Sequence, residues 1–252
     1  RRSGVTHRLV RIALRCVALS GVADSQLPPS PSYLRRRGRA TKAQRRALAD
    51  ESARVLQPTA SGVDWSAQFC RTAPLALEIG FGMGQALIAW AQAAPSWNLV
   101  GIDVYQPGIG AALLAARSAE LTNLRFIEDD ANHALQVAFA PASLSEVHVF
   151  FPDPWPKKRH HKRRLIQPRF VELLASRLGN GGKLLLATDW QPYAEWMLEC
   201  LEAETQLTSL NAGGFAPRSD ARPVTRFEAR GQKLGHTVWD LAYCKRAPGS
   251  RG

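Results

Sequence analysis

Leu75-Ala76-Leu77-Glu78-Ile79-Gly80-Phe81-Gly82-Met83-Gly84 decides the fold. A short apolar run interrupted only by Glu78 reads as a strand buried on both faces, too brief for a helix. The G-x-G-x-G that follows is a turn in which the backbone takes conformations closed to larger residues and approaches a ligand closely. Beyond Gly84 an Ala/Leu/Trp segment predicts a buried helix.

The same alternation continues down the chain. Asn98 to Asp103, Leu124 to Glu128, Glu146 to Phe151, Lys183 to Thr188 and Thr237 to Tyr243 read as strands, with an Ala/Leu helix from Ala111. Continuous apolar strands separated by helices predict an α/β sandwich of Rossmann-like type, a mostly parallel sheet with helices on both faces. The organisation expected is a disordered tail over 1–31 and a basic N-terminal arm and helix over 32–72, ahead of the α/β domain at 73–252. In the arm, Thr41 with Gln44 three residues later fits a capping box. The Pro/Ser run at 27–31 resists helix, and Arg15 breaks the apolar stretch that a signal sequence would need.

Composition removes several classes of function. At 252 residues with 45% hydrophobic content the chain is globular rather than collagenous or coiled-coil. No stretch reads as a membrane span: the most apolar one, Leu75 to Ala94, carries Glu78, Gln85, Gln92 and three glycines. Four widely spaced cysteines without a C-x-x-C pair predict reduced thiols in the cytoplasm and no metal. The net charge of +12 is localised. Residues 1–49 hold twelve bases and one acid, and residues 157–164 hold six bases and no acid. The rest is acidic, so two cationic patches on an anionic body predict a polyanionic partner.

Ligands of parallel sheets bind at the carboxyl ends of strands, and here those ends carry acids. Glu78, Asp103 and Asp130 close three of them, and Asp153 follows the fourth. A ligand held there would meet Gly80, Gly82 and Gly84, and Asp103 would accept from ribose hydroxyls. A dinucleotide pyrophosphate is poorly matched by four carboxylates, whereas S-adenosyl-L-methionine, with its ammonium and sulfonium, suits them. Pro152 and Pro154 fix the backbone around Asp153, and Trp155 offers a face on which a base could stack. Lys157-Lys158-Arg159-His160-His161-Lys162-Arg163-Arg164 then supplies phosphate neutralisation beside it. Asp189 and Glu228 could accept from the N–H edge of guanine, with Arg226 nearer a phosphate. Trp190, Trp196 and Trp239 are expected in the core.

Glu-Ile-Gly-Phe-Gly-Met-Gly at 78–84, Phe-Phe-Pro-Asp-Pro-Trp at 150–155 with Lys-Arg-Arg at 162–164, Ala-Thr-Asp-Trp at 187–190 and Arg-Pro-Val-Thr-Arg-Phe-Glu at 222–228 resemble bacterial tRNA (guanine-N7-)-methyltransferases, from about Tyr33 to Arg246. The resemblance implies a class I methyltransferase fold that uses S-adenosyl-L-methionine to methylate the guanosine at position 46 of the tRNA variable loop. It implies cofactor contacts from Glu78, Asp103, Asp130 and Asp153, the last also catalytic. Substrate contacts would come from Lys157, Asp189, Thr225, Arg226, Phe227 and Glu228. Contacts to tRNA would come from Arg159, His160, His161, Lys162, Arg163 and Arg164. Arg226 departs from the family's usual Lys. A monomer and a dimer are both compatible with the sequence. Two rival readings stand beside this one: an amino-group methyltransferase acting on DNA or protein, although one proline rather than two separates Asp153 from Trp155, and a non-catalytic RNA-binding module.

Overall fold

The computed structural model describes residues 38–59, 62–211, 214–218, 237–247 and 249. Strands β1 (Val55–Leu56), β2 (Leu75–Ile79), β3 (Asn98–Asp103), β4 (Leu124–Glu128), β5 (Leu144–Phe150), β6 (Leu178–Thr188), β7 (Leu207–Ser209) and β8 (Trp239–Lys245) form one sheet in the order β1-β4-β3-β2-β5-β6-β8-β7. Neighbours from β1 to β6 run parallel, and β8 is antiparallel to both β6 and β7. The direction of strand order reverses at β2, whose neighbours are β3 and β5, so a crevice opens at the carboxyl ends of these three strands.

Helices α1 (Lys42–Asp50), α3 (Gln85–Ala93) and α4 (Gln106–Ser118) cover one face, packing Ala47, Leu87 and Leu113 on Ala76, Leu99 and Phe126. On the other face α2 (Trp65–Phe69), α5 (Ala131–Ala138), α6 (Pro168–Arg177) and α7 (Gln191–Glu202) bury Leu77, Val100, Val147 and Leu186. Strand side chains alternate between these layers. Each fully buried Leu or Val contributes about 1.5–3 kcal/mol, which fixes the register and with it every residue at the strand ends.

Strands β2, β3 and β4 match the expected limits. Strand β5 starts two residues early and ends one early, β8 starts and ends two residues late, and three further elements differ more. Helix α4 starts at Gln106, five residues before the predicted Ala111, because Pro107 sits in its first turn and Gly108 and Gly110 disguise its start. Those glycines are required by close packing: a Cβ on Gly108 would lie 2.0 Å from the Gly82 carbonyl oxygen, and one on Gly110 would lie 2.8 Å from Gln44 Cβ. Strand β6 begins at Leu178 rather than Lys183, its early residues masked by three glycines. The segment from Val55 adds a parallel edge strand beside β4 that its sequence does not announce.

The predicted capping box is present at α1, with Gln44 N donating to Thr41 Oγ1 (3.2 Å) and Thr41 N to Gln44 Oε1 (2.8 Å). Its helix docks on α4. The expected tail lies outside the described residues. No described helix is long and apolar enough to cross a membrane, and the thiols of Cys70, Cys200 and Cys244 are free.

Candidate functional site

Gly80 (φ +72°) and Gly82 (φ +58°) take the left-handed conformations that favour glycine, and a Cβ on either would face open space. Asp103 fastens this loop to β3: its Oδ2 accepts from Gly82 N (2.7 Å) and its Oδ1 from Tyr105 N (2.9 Å). Asp130 caps α5, accepting from Asn132 N (2.9 Å). Asp129 orients it, accepting from Asp130 N (2.7 Å) while pairing with His133 Nδ1.

These groups line a solvent-open crevice of about 750 Å3 together with Tyr105, Phe150, Phe151, Asp153 and Leu165. Four carboxylates therefore face it: Asp103, Asp129, Asp130 and Asp153. Asp129 and Tyr105 were missed by sequence reasoning. Both follow a strand-end acid within two residues, and that position was the available signal.

Glu78 is placed differently from the other acids. It does not line the crevice: it is 3% exposed, on the sheet face covered by α3. Burial, then the nearby Asp103 charge, pushes its pKa up to about 8. Its Oε2 has no hydrogen-bond partner among the described residues. An orphaned buried carboxyl oxygen is costly unless a ligand donor or cation reaches it. Beside it in register stands His148, buried and stacked on Trp90 with ring centroids 3.7 Å apart. Gly84 (φ +80°) is also away from the crevice, forming the N-cap of α3, where a Cβ would approach Ala112 Cβ to 2.7 Å.

The loop after β5 carries Asp153 on a strained backbone. Phe151 (φ +52°) and Trp155 (φ +46°) both occupy the left-handed region, at roughly 1–3 kcal/mol each. The loop is held by Phe151 N donating to the Ala187 carbonyl (2.8 Å) and by Arg164 Nε donating to the Pro154 carbonyl (3.0 Å). Two expectations fail here. Trp155 is no open platform: it is 5% exposed and covered by the Arg163 guanidinium at 4.9 Å and the His160 ring edge. Arg164 is not part of the cationic surface. It is 4% exposed, stacked over Tyr193 at 4.8 Å and within 3.2 Å of His161 Nε2, because only a long planar donor fork bridges the loop to α7.

The rest of the basic run forms a 3-10 helix, Lys158–Arg163. Lys157, Lys158, Arg159 and Lys162 are exposed, while His160, His161 and Arg163 are half-buried. Partial desolvation, then the charges of Arg159, Arg163 and Lys157, lower the His160 pKa, so the cationic character rests on the lysines and arginines. Asp189 follows β6 half-buried, and Trp190 after it is 41% exposed rather than in the core. Trp196 and Trp239 are partly buried. Thr225, Arg226, Phe227 and Glu228 lie outside the described residues. Among the described residues no three His, Cys, Asp or Glu side chains are grouped to hold a metal ion.

Against known proteins, a family model described as a putative methyltransferase matches residues 72–241. A tRNA (guanine-N(7)-)-methyltransferase of Thiobacillus denitrificans is 51% identical over 220 residues, covering 87% of this chain and 96% of the relative. One from Paraburkholderia xenovorans is 51% identical over 86% of this chain and 84% of its own. Among solved structures, a 16S rRNA (adenine(1408)-N(1))-methyltransferase from Catenulisporales acidiphilia with its cosubstrate SAM superposes at TM-score 0.53 and 18% identity over 79% of this chain and all of that one. The 16S rRNA methyltransferase KamB does so at 0.51 and 17%, over 84% and 97%. At such identities these two speak for the fold.

Proposed function

The chain belongs to the tRNA (guanine-N(7)-)-methyltransferase family, and from that premise we propose that it methylates N7 of the guanosine at position 46 in the tRNA variable loop, in the cytoplasm. It is an S-adenosyl-L-methionine-dependent methyltransferase. The observation that carries the reading is the convergence of Asp103, Asp130 and Asp153 on one crevice whose rim continues into the exposed cations Lys157, Lys158, Arg159 and Lys162. The residues fit the cofactor. Open space over Gly80 and Gly82 admits a ligand against the backbone, and the orphaned Glu78 oxygen awaits a cationic donor.

When bound, S-adenosyl-L-methionine supplies an electrophilic methyl group on a positively charged sulfur. Asp103 would hold the ribose, Asp130 the base end, and Glu78 with the glycine turn the amino-acid end. Guanine N7 already carries an in-plane lone pair, so no base is needed to expose it, and the work left to the protein is alignment. Holding the two reactants in line removes up to roughly 7–11 kcal/mol of barrier. Asp153, fixed by two prolines and the Arg164 strut, provides a negative charge that stabilises positive charge as it passes towards the purine. Lys157 and Asp189 would contact the substrate, and Arg159, His160, His161, Lys162 and Arg163 the tRNA backbone.

Incubation with unmodified tRNA and methyl-labelled cofactor, followed by mass spectrometric mapping, tests the reading: label at N7 of the variable-loop guanosine is expected. Label on an amino group or at another nucleotide overturns it. Asp153→Asn should lower turnover at least tenfold while changing tRNA affinity less than twofold, and equal losses in both would contradict the assigned division of labour.

A further inference from the structure

The geometry points to Trp190 as the aromatic platform on which the target guanine stacks, an inference that rests on the function proposed above. Burial of Trp155 leaves the catalytic loop without the open aromatic face its sequence suggested. Trp190 supplies one. Of the large apolar side chains described, only Met83, Trp190 and Leu210 are this exposed, and Trp190 is the aromatic among them.

Neither core packing nor capping explains a tryptophan there. It occupies the N-cap of α7, where an oxygen acceptor is normally favoured, and its side chain makes no cap hydrogen bond. An indole has only a donor to offer and could not serve that role. The backbone beneath it is rigid. The Trp190 carbonyl accepts from Tyr193 N (2.9 Å) and Ala194 N (3.0 Å), its amide donates to Thr188 Oγ1 (3.3 Å), and Pro192 stands in the first turn. A ring mounted on so fixed a base loses little freedom when a ligand stacks on it.

Position completes the argument. Phe150 of β5 pairs with Ala187 of β6 as the last registered couple, and Phe151 N bonds the same Ala187 carbonyl. The loop that carries Asp153 and the turn into α7 that carries Trp190 therefore leave the sheet side by side, each residue three positions beyond that couple. Directly before Trp190 comes the half-buried Asp189, whose carboxylate matches the N1–H and amino donors of guanine. Gripping that edge leaves N7, on the opposite side of the ring system, directed away towards the methyl donor. An acid for the edge and an indole for the face then define the plane of the base.

Trp190→Phe, Trp190→Leu and Trp190→Ala test this by kcat/KM for tRNA, cofactor affinity by calorimetry, and melting temperature. Loss of base stacking predicts a fall of roughly 5- to 100-fold for the Leu and Ala variants, about 1–3 kcal/mol at 1.4 kcal/mol per tenfold. The Phe variant should stay within about threefold of the parent, with cofactor affinity unchanged in all three. Equal activity of Leu and Phe, full activity of Ala, or losses that follow cofactor affinity would overturn the assignment while leaving the proposed function intact. Failure of the unsubstituted chain to methylate guanine N7 would overturn both.

Discussion

Arg164→Ala separates a structural strut from a phosphate contact. In the native loop the buried guanidinium donates to the Pro154 carbonyl at 3.0 Å and lies 4.8 Å over the Tyr193 ring. A hydrogen bond from a charged donor contributes about 1.5–3 kcal/mol, and a cation–π contact about 0.5–2 kcal/mol. Their loss destabilises the fold by about 2–5 kcal/mol, a drop in melting temperature of roughly 4–20 °C for a chain of this size. Pro154 would also lose its tether, so Asp153 would wander and turnover would fall further than stability alone explains. The control is Lys162→Ala, exposed in the 3-10 helix just before Arg164, where stability should change by less than about 0.5 kcal/mol. Thermal denaturation together with the salt dependence of tRNA binding reads both. If Arg164→Ala melts within about 1 °C of the parent and lowers the salt slope as a lost phosphate contact would, the strut is wrong.

Replacing Lys158 and Lys162 together by Ala should reduce the slope of log binding constant against log salt by about 0.7–0.9 per lost phosphate contact, and an unchanged slope would remove the 3-10 helix from the RNA interface. Glu78 ionises near 4.5 when unfolded and at about 8 when folded, so across that window the folded chain holds a proton the unfolded chain lacks, and stability falls as pH rises before levelling above it. Denaturation from about pH 5 to 8 should therefore show Glu78→Gln gaining on the parent as pH increases; a constant difference would refute the buried, protonated carboxyl. A cofactor ammonium beside Glu78 would draw off that proton, giving release of up to one proton per cofactor near neutral pH in calorimetry across buffers of different ionisation enthalpy. Gly108→Ala drives a Cβ to 2.0 Å from the Gly82 carbonyl, and should destabilise by about 1–3 kcal/mol while weakening cofactor affinity at least tenfold, with tRNA affinity little changed.

Alternating apolar strands and the G-x-G-x-G turn made the α/β sheet legible in the sequence, because a strand buried on both faces has no other composition available to it. Acids at successive strand ends made the cationic ligand legible for the same reason: the carboxyl ends of neighbouring parallel strands must lie side by side. Composition could not say which side chains of a motif face outwards. Trp155 and Trp190 are both single tryptophans beside an acid after a strand, yet a left-handed kink and the Arg163 guanidinium bury one, while a helix N-cap leaves the other exposed. Arg164 reads as one more cation of a basic run until its burial against Tyr193 turns it into a brace. Glu78 looked like a fourth wall of the crevice and is buried outside its lining. Local pattern determined which residues gather at the strand ends; depth and direction were set by contacts between segments far apart in the chain, and only the packed tertiary structure contains those.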